Sequence, residues 1–434
     1  MMGRMAVPRA RALQVCALSL ALLATLPGTP TAAAQQLGPL EPPEGALFGA
    51  YVKSPTGWNH DQVVASIEAL ESAIGRRLGI DHHYHSWDLP FPGWKEGWDF
   101  DNGRIPMLSW GPISTRAINS GRLDAVIRSR ADGVRTLARP VFLRWFWEMD
   151  GDLASRISRS PSSFIQAWRR IRWIFASRGA WNAVWVWCPN AWGFTEGVAQ
   201  KYYPGDPYVD WVCADGYNWA PGRPGDPWRS FGQIFEDFYT WGLSTGKPMM
   251  VGEYGCLERA AGEKAAWFEQ ARTTLKERFP QIDAVAYFNS FGDGMDWRVT
   301  TSPSSLQAVA AMGADPYFSP PVTGLGAVDP TRFDHILADV ASPDINILGR
   351  PRLRAARVAV LRWRTEEPNR NVVRIRYLVR GGGSRTVAHG TSDDGRFRWR
   401  VPAALDNRVI RLSFRAFDLA GNAGSAKTGP IRIG

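Results

Sequence analysis

One pattern constrains the fold of this chain more than any other: short apolar stretches alternate with longer amphipathic stretches between residues 46 and 313. Eight of the apolar stretches have the length and the β-branched or aromatic content of strands. They lie at residues 47–52, 78–85, 105–110, 140–148, 183–188, 209–217, 247–253 and 283–289. Helical patterns fit between several of them, at residues 61–74, 122–137, 161–178, 228–242, 262–278 and 303–312. Eight strand–helix units in roughly 270 residues predict an α/β fold, the (β/α)8 TIM barrel.

A doubly wound open sheet is the competing fold for this alternation of strands and helices. Its nucleotide-binding versions carry a Gly-x-Gly-x-x-Gly turn directly after the first strand. No such turn follows residues 47–52. The barrel over residues 46–313 is therefore the favoured prediction.

The chain changes character after the predicted barrel. Residues 314–345 are rich in proline and glycine, which predicts a linker or a segment that caps the barrel. In residues 346–434 apolar side chains alternate with arginine or another polar residue, as in strands with one solvated face. Fewer than about 100 residues with this pattern predict an all-β sandwich as an accessory domain.

The positive charge of the chain is concentrated in this last segment. The formal net charge is +10, yet residues 35–340 carry a net −5, and residues 341–434 carry 19 basic and 7 acidic side chains. A basic module is a candidate for contact with a cell wall or another anionic glycan. A plain solvated sheet face explains the same composition, and both interpretations stay open.

The first 34 residues have the pattern of a secretory signal peptide. Three arginines lie within the first eleven residues, an apolar stretch follows at 15–26, and alanines at 32–34 offer a small-residue cleavage site. This pattern predicts a secreted, extracellular protein. The apolar stretch is shorter than the about 20 residues that a membrane helix needs, so we expect no membrane span.

The cysteines exclude several classes of site. Cys16 would leave with the signal peptide, which leaves Cys188, Cys213 and Cys256. At most one internal disulfide can form among three cysteines, and one thiol stays free. No Cys-x-x-Cys or Cys/His spacing typical of zinc sites occurs, and no nucleic-acid recognition motif is present.

Two glutamates at the ends of predicted strands are the main catalytic candidates. Arg144 and Glu148 share one face of the fourth strand, and Glu253 ends the seventh. Barrel enzymes carry their catalytic groups at the C-terminal ends of the strands. A pair of carboxylates there suits retaining glycoside hydrolysis, in which one acid protonates the leaving oxygen while the other carboxylate attacks the anomeric carbon. Arg144 would keep Glu253 ionised, and apolar neighbours would raise the pKa of Glu148.

Four segments resemble glycoside hydrolase family 26. These are RPVFLRWFWEMDG (139–151), VWVWCPN (184–190), YYPGDPYVDWVCADGYNW (202–219) and KPMMVGEYG (247–255). The resemblance implies a β-mannanase-like (β/α)8 glycosidase of the retaining type, with some members of that family acting on mixed-linkage β-glucan or xylan. It implies Glu148 as the acid/base and Glu253 as the nucleophile. It also implies Arg144 as a group that orients the nucleophile, and Tyr217 as a hydroxyl beside it.

This chain departs from the family pattern next to the acid/base. Trp147 stands where the family usually has histidine, and residues 150–153 replace an aromatic cluster. Both changes fall near the sugar-binding subsites, so mannan-type substrates and mixed-linkage β-glucan both stay open.

Aromatic side chains that follow strand ends are candidates for stacking on sugar rings. An apolar sugar face packs on aromatic rings, and a few polar groups then fix the orientation of the ligand. The predicted stacking residues are Trp110, Trp147, Trp187, Trp192 and Trp219, and Asn190 is predicted to bind substrate as a polar side chain.

Three histidines at the end of the second predicted strand raise an alternative. In the run Asp81-His82-His83-Tyr84-His85, His83 and His85 share a face. A metal site there would indicate a metal-dependent hydrolase or deacetylase. Since the remaining histidines at 60, 335 and 389 form no second cluster, we expect His83 and His85 to contact sugar or to pack in the core, and we expect no metal or other cofactor.

The prediction from sequence is a monomeric, secreted, retaining, endo-acting glycoside hydrolase that cleaves a β-linked polysaccharide of the mannan or mixed-linkage β-glucan type. Residues 417–422 (FDLAGN) resemble the last-strand signature of bacterial immunoglobulin-like modules. Two alternatives remain: a barrel that binds carbohydrate without turnover, and a surface protein that binds glycan through its basic C-terminal domain.

Overall fold

The predicted barrel is present. The computed structural model describes residues 36–434 except 293, 321–323, 339–343, 350–351, 367–373, 381–385, 393–395 and 419–421. Eight parallel strands close into a barrel in which each strand pairs with the next and the eighth pairs with the first. They are β1 Leu47–Val52, β2 Ile80–His85, β3 Ile105–Trp110, β4 Val141–Trp145, β5 Ala183–Trp187, β6 Trp211–Asn218, β7 Met249–Cys256 and β8 Ile282–Asn289. The (β/α)8 fold is thereby confirmed.

Helices follow the strands, and several begin at capping residues that the sequence pattern predicts. The helices between residues 60 and 314 are α1 His60–Ile74, α2 Trp94–Asp101, α3 Thr115–Asn119, α4 Asp124–Leu137, α5 Asp152–Ser158, α6 Pro161–Ser177, α7 Ala191–Thr195, α8 Phe231–Leu243, α9 Glu263–Glu277 and α10 Pro303–Ala314. The Asn59 side chain accepts a hydrogen bond from the backbone N–H of Gln62 in a capping box. Ser160 caps α6, and Pro161 occupies its first turn.

Two predicted strand boundaries that concern candidate catalytic residues are wrong. The seventh strand continues past Glu253 to Cys256, so Glu253 does not end it. The fourth strand ends at Trp145, so Glu148 does not continue the strand alternation that begins at Arg144. Phe146 and Glu148 have φ values of 53° and 51°, in the left-handed region that breaks an extended strand. The alternation of side chains therefore could not predict where Glu148 points.

The barrel interior is apolar at one end and polar at the other. Inward-facing Met107, Phe142, Trp211 and Met250 belong to one buried apolar cluster inside the barrel. A second, larger apolar cluster fills the space between the strands and the helices. Toward the C-terminal ends of the strands the inward positions become polar, and these positions build the site described below.

Part of the proline- and glycine-rich segment packs on the barrel. Phe318 is buried, and so is Ile336 of the short helix α11 (Asp334–Leu337); both belong to the cluster between strands and helices. This packing favours the capping interpretation over a free linker. The boundaries predicted at 314–345 and 346–434 remain predictions, and the predicted signal peptide lies outside the described residues.

After β8, a small two-stranded sheet of β9 Phe291–Gly292 and β10 Met295–Asp296 precedes a strand-rich C-terminal module. Its strands are β11 Asp344–Ile347, β12 Val358–Glu366, β13 Arg374–Arg380, β14 Thr386–Ser392, β15 Arg396–Arg400, β16 Val409–Phe417, β17 Ala423–Lys427 and β18 Ile431–Arg432. One sheet has the order β11-β12-β15, and another has the order β14-β13-β16-β17 with β18 beside β16. Buried Trp363, Trp399 and Phe414 share its apolar core. The predicted all-β module is confirmed, while its immunoglobulin-like identity remains a prediction.

Within the part of the chain that the structure describes, no helix has both the length and the apolar character needed to cross a bilayer.

Candidate active site

A cleft of about 820 Å³ opens at the C-terminal ends of the barrel strands. Barrel enzymes bind and convert their substrates at this end. Acidic, aromatic and basic side chains line the cleft together. They include Tyr51, Trp58, Tyr84, Trp147, Glu148, Asn190, Trp192, Asp215, Tyr217, Trp219, Arg223, Glu253 and Trp297.

Glu253 lies in β7 at the floor of the cleft, with 4% of its surface exposed. The Tyr84 hydroxyl donates a hydrogen bond to its Oε1 at 2.5 Å, and the Tyr217 hydroxyl donates to its Oε2 at 2.5 Å. The Arg144 guanidinium also donates to Oε1. Three donors, one of them cationic, stabilise the ionised carboxylate and fix its orientation.

Arg144 is the centre of a buried polar network. Its Nη1 donates to both oxygens of Asp215 at 2.8 Å, and its Nε donates to the Ser109 hydroxyl at 2.8 Å. Strand pairing produces this arrangement, because Arg144 is opposite Ser109 between β4 and β3 and Asp215 is opposite Glu253 between β6 and β7. The guanidinium thus holds two carboxylates and one hydroxyl in fixed positions.

His82 completes the network on the β2 side. Its Nε2 lies 2.6 Å from the Ser109 hydroxyl and 3.1 Å from Arg144 Nη2. Burial and the neighbouring Arg144 charge hold the pKa of His82 well below its usual value. A neutral His82 adds no second positive charge beside the guanidinium.

Glu148 lies at the cleft in the turn after β4. Its backbone N–H donates to the Cys188 carbonyl at 2.8 Å, and its own carbonyl accepts from Gly151 at 3.0 Å. A non-glycine residue in the left-handed region costs about 1–3 kcal/mol and persists where its surroundings enforce it. Burial, and then the negative charge of Glu253, raise the pKa of Glu148 to about 8. This carboxyl group is therefore protonated at neutral pH.

Asp150 and Asn190 support the turn that carries Glu148. Asp150 Oδ1 accepts from the backbone N–H of Asn190 at 3.0 Å and from its side-chain Nδ2 at 2.9 Å. Asn190 lines the cleft as expected, yet its amide donates to Asp150. We therefore assign Asn190 a part in positioning the turn as well as in lining the cleft.

Three of the predicted aromatic platforms line the cleft: Trp147, Trp192 and Trp219. Trp192 is 45% exposed, as a ring that stacks on sugar must be. The Arg223 guanidinium lies over the Trp219 ring at 3.3 Å from its centroid. Trp58 and Trp297 also line the cleft and were not predicted.

Two other predicted platforms do not reach the cleft, which corrects the expectation from sequence. Trp110 has no exposed surface and stacks on Trp87 at 4.2 Å between ring centroids. Trp187 is likewise fully buried and packs against Tyr203 and Trp241. Both side chains point outward from the barrel strands toward the helices, so neither ring offers a face to a ligand.

His83 and His85 also lie away from the cleft, contrary to the predicted sugar contact. They face helix α2 instead, where His83 Nε2 is 2.7 Å from Asp99 Oδ2 and His85 Nε2 is 3.1 Å from Glu96 Oε1. Tyr84 alternates with them, so its side chain points to the opposite side of the sheet, into the barrel.

Tyr84 and Asp215, which contact Glu253 and Arg144, are two further site residues that the sequence did not predict. A signal for each existed in the sequence: Tyr84 lies between the two outward-facing histidines, and Asp215 is two positions before Tyr217 on the same strand face.

The disulfide between Cys188 and Cys213 joins the end of β5 to β6 next to Asp215, and the remaining thiol, Cys256, is buried. This agrees with the limit of one disulfide.

The cleft at the strand ends of this (β/α)8 barrel holds two carboxylates. One is bound by arginine and tyrosine, and the other has a raised pKa. This is the architecture of a barrel glycoside hydrolase domain. Residues 114–273 match the family model of Glycosyl hydrolase family 26. The resemblance found in the sequence is thereby confirmed for this part of the barrel.

The chain is also similar to two curated proteins. Endoglucanase H of Acetivibrio thermocellus is 30% identical over 289 residues, which are 61% of this chain and 32% of that protein. Mannan endo-1,4-beta-mannosidase A and B of Caldalkalibacillus mannanilyticus is 24% identical over 220 residues, 47% of this chain and 39% of that protein. The chain thus spans between about a third and two fifths of the length of these relatives.

Among solved structures, a GH26 β-mannanase from Bacteroides ovatus is 16% identical, with a TM-score of 0.48 over 63% of this chain and 90% of that one.

Proposed function

We propose that this protein is a retaining, endo-acting glycoside hydrolase that cleaves a β-linked polysaccharide of the mannan or mixed-linkage β-glucan type. One observation carries the proposal: two carboxyl groups share the cleft in opposite environments. Glu253 is hydrogen-bonded as an anion, whereas Glu148 has a pKa of about 8 and holds a proton at neutral pH. Retaining glycosidases need this pair of a nucleophile and an acid.

In the first step, Glu253 attacks the anomeric carbon and forms a covalent glycosyl–enzyme ester. The bond from that carbon to the leaving sugar breaks, and the proton of Glu148 moves to the departing oxygen. Glu148 is left as a carboxylate.

In the second step, the Glu148 carboxylate removes a proton from water, and the water oxygen attacks the anomeric carbon. The ester bond to Glu253 breaks, so both glutamates return to their starting protonation states and the product keeps the β configuration. The charge of the Glu253 anion raises the pKa of Glu148 only while Glu253 is free. Formation of the ester removes that charge, which lowers the pKa of Glu148 when it must act as a base.

Arg144, Tyr84 and Tyr217 act by positioning Glu253. Burial and the negative charge of Glu253 raise the pKa of both tyrosines well above the usual value, so their hydroxyls stay protonated as donors. The donors hold both carboxylate oxygens, and attack on a single face of the sugar requires such a fixed orientation.

The choice between mannan and β-glucan depends on the side chains beside the reacting sugar. Trp147 lines the cleft next to Glu148, and the Arg144 guanidinium lies 5.5 Å from the centroid of its ring. The two relatives carry names for a glucanase and a mannosidase, and identity is higher to the glucanase. Trp147 replaces the usual family histidine, so we expect mixed-linkage β-glucan to be the better substrate.

Secretion and a monomeric state are part of the proposal. A polysaccharide cannot enter the cell intact, and the first 34 residues have the signal-peptide pattern. The basic C-terminal module is then a candidate for attachment to cell wall or anionic glycan.

The test is release of reducing sugar from glucomannan, galactomannan, mixed-linkage β-glucan and xylan by wild type, Glu253→Ala and the control Glu277→Gln, which changes an exposed residue of α9. We expect release from at least one polymer by wild type and by the control, and none by Glu253→Ala. Saturable binding of a polymer without release, by folded wild type, would support the carbohydrate-binding alternative instead.

A further inference from the structure

The histidines that do not reach the cleft form a second polar cluster on the outside of the barrel sheet. His83 and His85 of β2 face helix α2, which contributes Glu96 and Asp99. The side chains of Asp81, Glu96 and Asp99 are 0% exposed. The proposed glycosidase chemistry uses none of these groups, although burial of charge in a protein is costly.

Three buried carboxylates and two imidazoles lie close together in the cluster. One ammonium group, that of Lys95, lies 3.4 Å from Asp81 Oδ2. Buried like charges disfavour one another unless a cation or protons compensate them. Protons on the imidazoles or a bound metal ion would supply that compensation.

The polar atoms of the cluster lie within contact distance of one another, but their hydrogen-bond geometry is poor. Among the described residues, Glu96 Oε1, His85 Nε2 and both ring nitrogens of His83 are buried and make no well-aligned hydrogen bond. One atom each from His83, His85 and Glu96 nevertheless lies within 4.8 Å of the others. Unaligned donors and acceptors at such short range are the arrangement of ligands around a common centre.

From this geometry we infer a zinc-class divalent metal site formed by His83, His85 and Glu96. Glu96 Oε1 lies 3.6 Å from His83 Nδ1 and 3.1 Å from His85 Nε2. Ligand atoms at about 2.0–2.2 Å from a tetrahedral zinc lie about 3.3–3.6 Å from one another. Two imidazoles and a carboxylate are ligands that zinc accepts. The side chain of His85 is 15% exposed, so the cluster lies near the protein surface, and a water would be the fourth ligand.

The other nitrogen of His83 faces the groups that usually support a metal-bound histidine. His83 Nε2 lies 2.7 Å from Asp99 Oδ2 and 3.3 Å from Asp81 Oδ2. A carboxylate on the far side of the ring fixes the orientation of the histidine and raises its basicity as a ligand. Asp81, His83 and Asp99 form a rival set of ligands. The Lys95 ammonium beside Asp81 would repel a dication there, so we assign the metal to the Glu96 side.

The metal would link β2 to α2 on the outer side of the barrel sheet, opposite the side that carries Tyr84. Tyr84 lies between the two histidine ligands and donates to Glu253 on the other side of the sheet. The second oxygen of Glu96 accepts from the backbone N–H of Gly93 at 2.6 Å, so the same residue also caps α2. Bound metal would therefore stabilise the strand end that holds Tyr84, without contact with the substrate.

Zinc content and thermal unfolding of the full chain, purified without a histidine tag, test this site. After equilibration with Zn²⁺ and removal of the excess, we expect one equivalent of zinc per chain and a higher Tm than after chelation. His85→Ala should lose both the zinc and the rise in Tm. The control His60→Ala, which changes a 55% exposed histidine near α2, should keep both.

Two further variants keep the test decisive. Asp99→Asn should weaken zinc affinity by about 10- to 100-fold, because it removes the carboxylate that orients the His83 ligand. Glu253→Ala should bind zinc like wild type, because the catalytic carboxylates are not ligands. Wild type that binds no zinc, or a folded His85→Ala protein that binds it equally well, would overturn the assignment.

Discussion

The guanidinium of Arg144 is hydrogen-bonded to the carboxylate of Glu253 inside the barrel, with the two side chains 0% and 5% exposed. Neither group would be stable there as an isolated charge. Asp215 binds the other side of the same guanidinium, so one cation compensates two anions. The orientation of the proposed nucleophile and the stability of the barrel mouth therefore depend on the same contact.

Removal of Arg144 should cost stability as well as activity. Arg144→Met leaves Asp215 and Glu253 buried without their cation, and we expect a loss of about 3–5 kcal/mol in the free energy of unfolding at pH 7. Urea unfolding measures it. The control Arg178→Met, which breaks an exposed pair with Asp132, should change stability by less than about 1 kcal/mol.

The two tyrosine hydroxyls should each contribute to turnover through Glu253. Tyr217→Phe and Tyr84→Phe keep the ring and remove one hydrogen bond to a charged acceptor, worth about 1.5–3 kcal/mol. We expect kcat to fall by about 10- to 150-fold in each variant, with KM little changed. Tyr203→Phe, which alters a hydroxyl bonded to Asp206, is the matched control. Unchanged kcat in both active-site variants would contradict the positioning role.

The pH profile of activity should fall on the alkaline side near the pKa of Glu148. The acid must carry its proton in the first step, and its pKa is about 8, so kcat/KM should decrease as the pH rises through that value. A substrate with an activated leaving group needs less protonation and should show a weaker decrease. Glu148→Gln should remove this alkaline limb and slow natural substrates most. An alkaline limb that persists in Glu148→Gln would assign it to another group.

The raised pKa of Glu148 also predicts how the free energy of unfolding changes with pH. A carboxylate paired with a cation makes this free energy rise with pH, whereas Glu148 should make it fall. Glu148 holds its proton in the folded protein up to about pH 8 but loses it near 4.5 when unfolded. Between these values the folded state binds more protons, so the free energy of unfolding should decrease as the pH rises. In Glu148→Gln this decrease should be smaller between pH 5 and 9, as measured by urea unfolding. An equal decrease in the variant would contradict the raised pKa.

Substitution of exposed and buried tryptophans should separate binding from packing. Trp192→Ala should raise KM for polysaccharide and leave Tm nearly unchanged, because this ring is 45% exposed in the cleft. Trp110→Ala should instead destabilise the barrel by about 3–5 kcal/mol, since that ring is fully buried. A rise in KM for Trp110→Ala at full stability would contradict its placement in the core.

Much of this architecture follows from local sequence, and the rest depends on tertiary structure. The periods of strands and helices predict the barrel. Barrel enzymes carry their catalytic groups near the C-terminal ends of the strands, and this identifies Glu148 and Glu253 as candidates. Local patterns could not show that the fourth strand ends at Trp145, because the left-handed turn is held by the backbone of Trp110 and Cys188 on other strands.

The misplaced aromatic residues have the same cause. Trp110 and Trp192 both follow or end strands, and only the packing of the helices decides which ring is covered. Tyr84 was not predicted because the alternation of side chains along β2 does not by itself show which face points into the barrel. The cluster that these histidines form required helix α2, whose position no strand pattern encodes.

Covalent trapping of Glu253 tests the central claim most directly. The full chain is incubated with 2-deoxy-2-fluoro-β-glycosides of glucobiose and mannobiose type that carry an activated leaving group, and intact mass and peptide mapping locate the adduct. We predict a single glycosyl adduct on Glu253 with at least one reagent, formed by wild type and absent in Glu253→Ala. An adduct on another residue, or no adduct in a preparation that releases reducing sugar from polysaccharide, would contradict the assignment of Glu253 as the nucleophile.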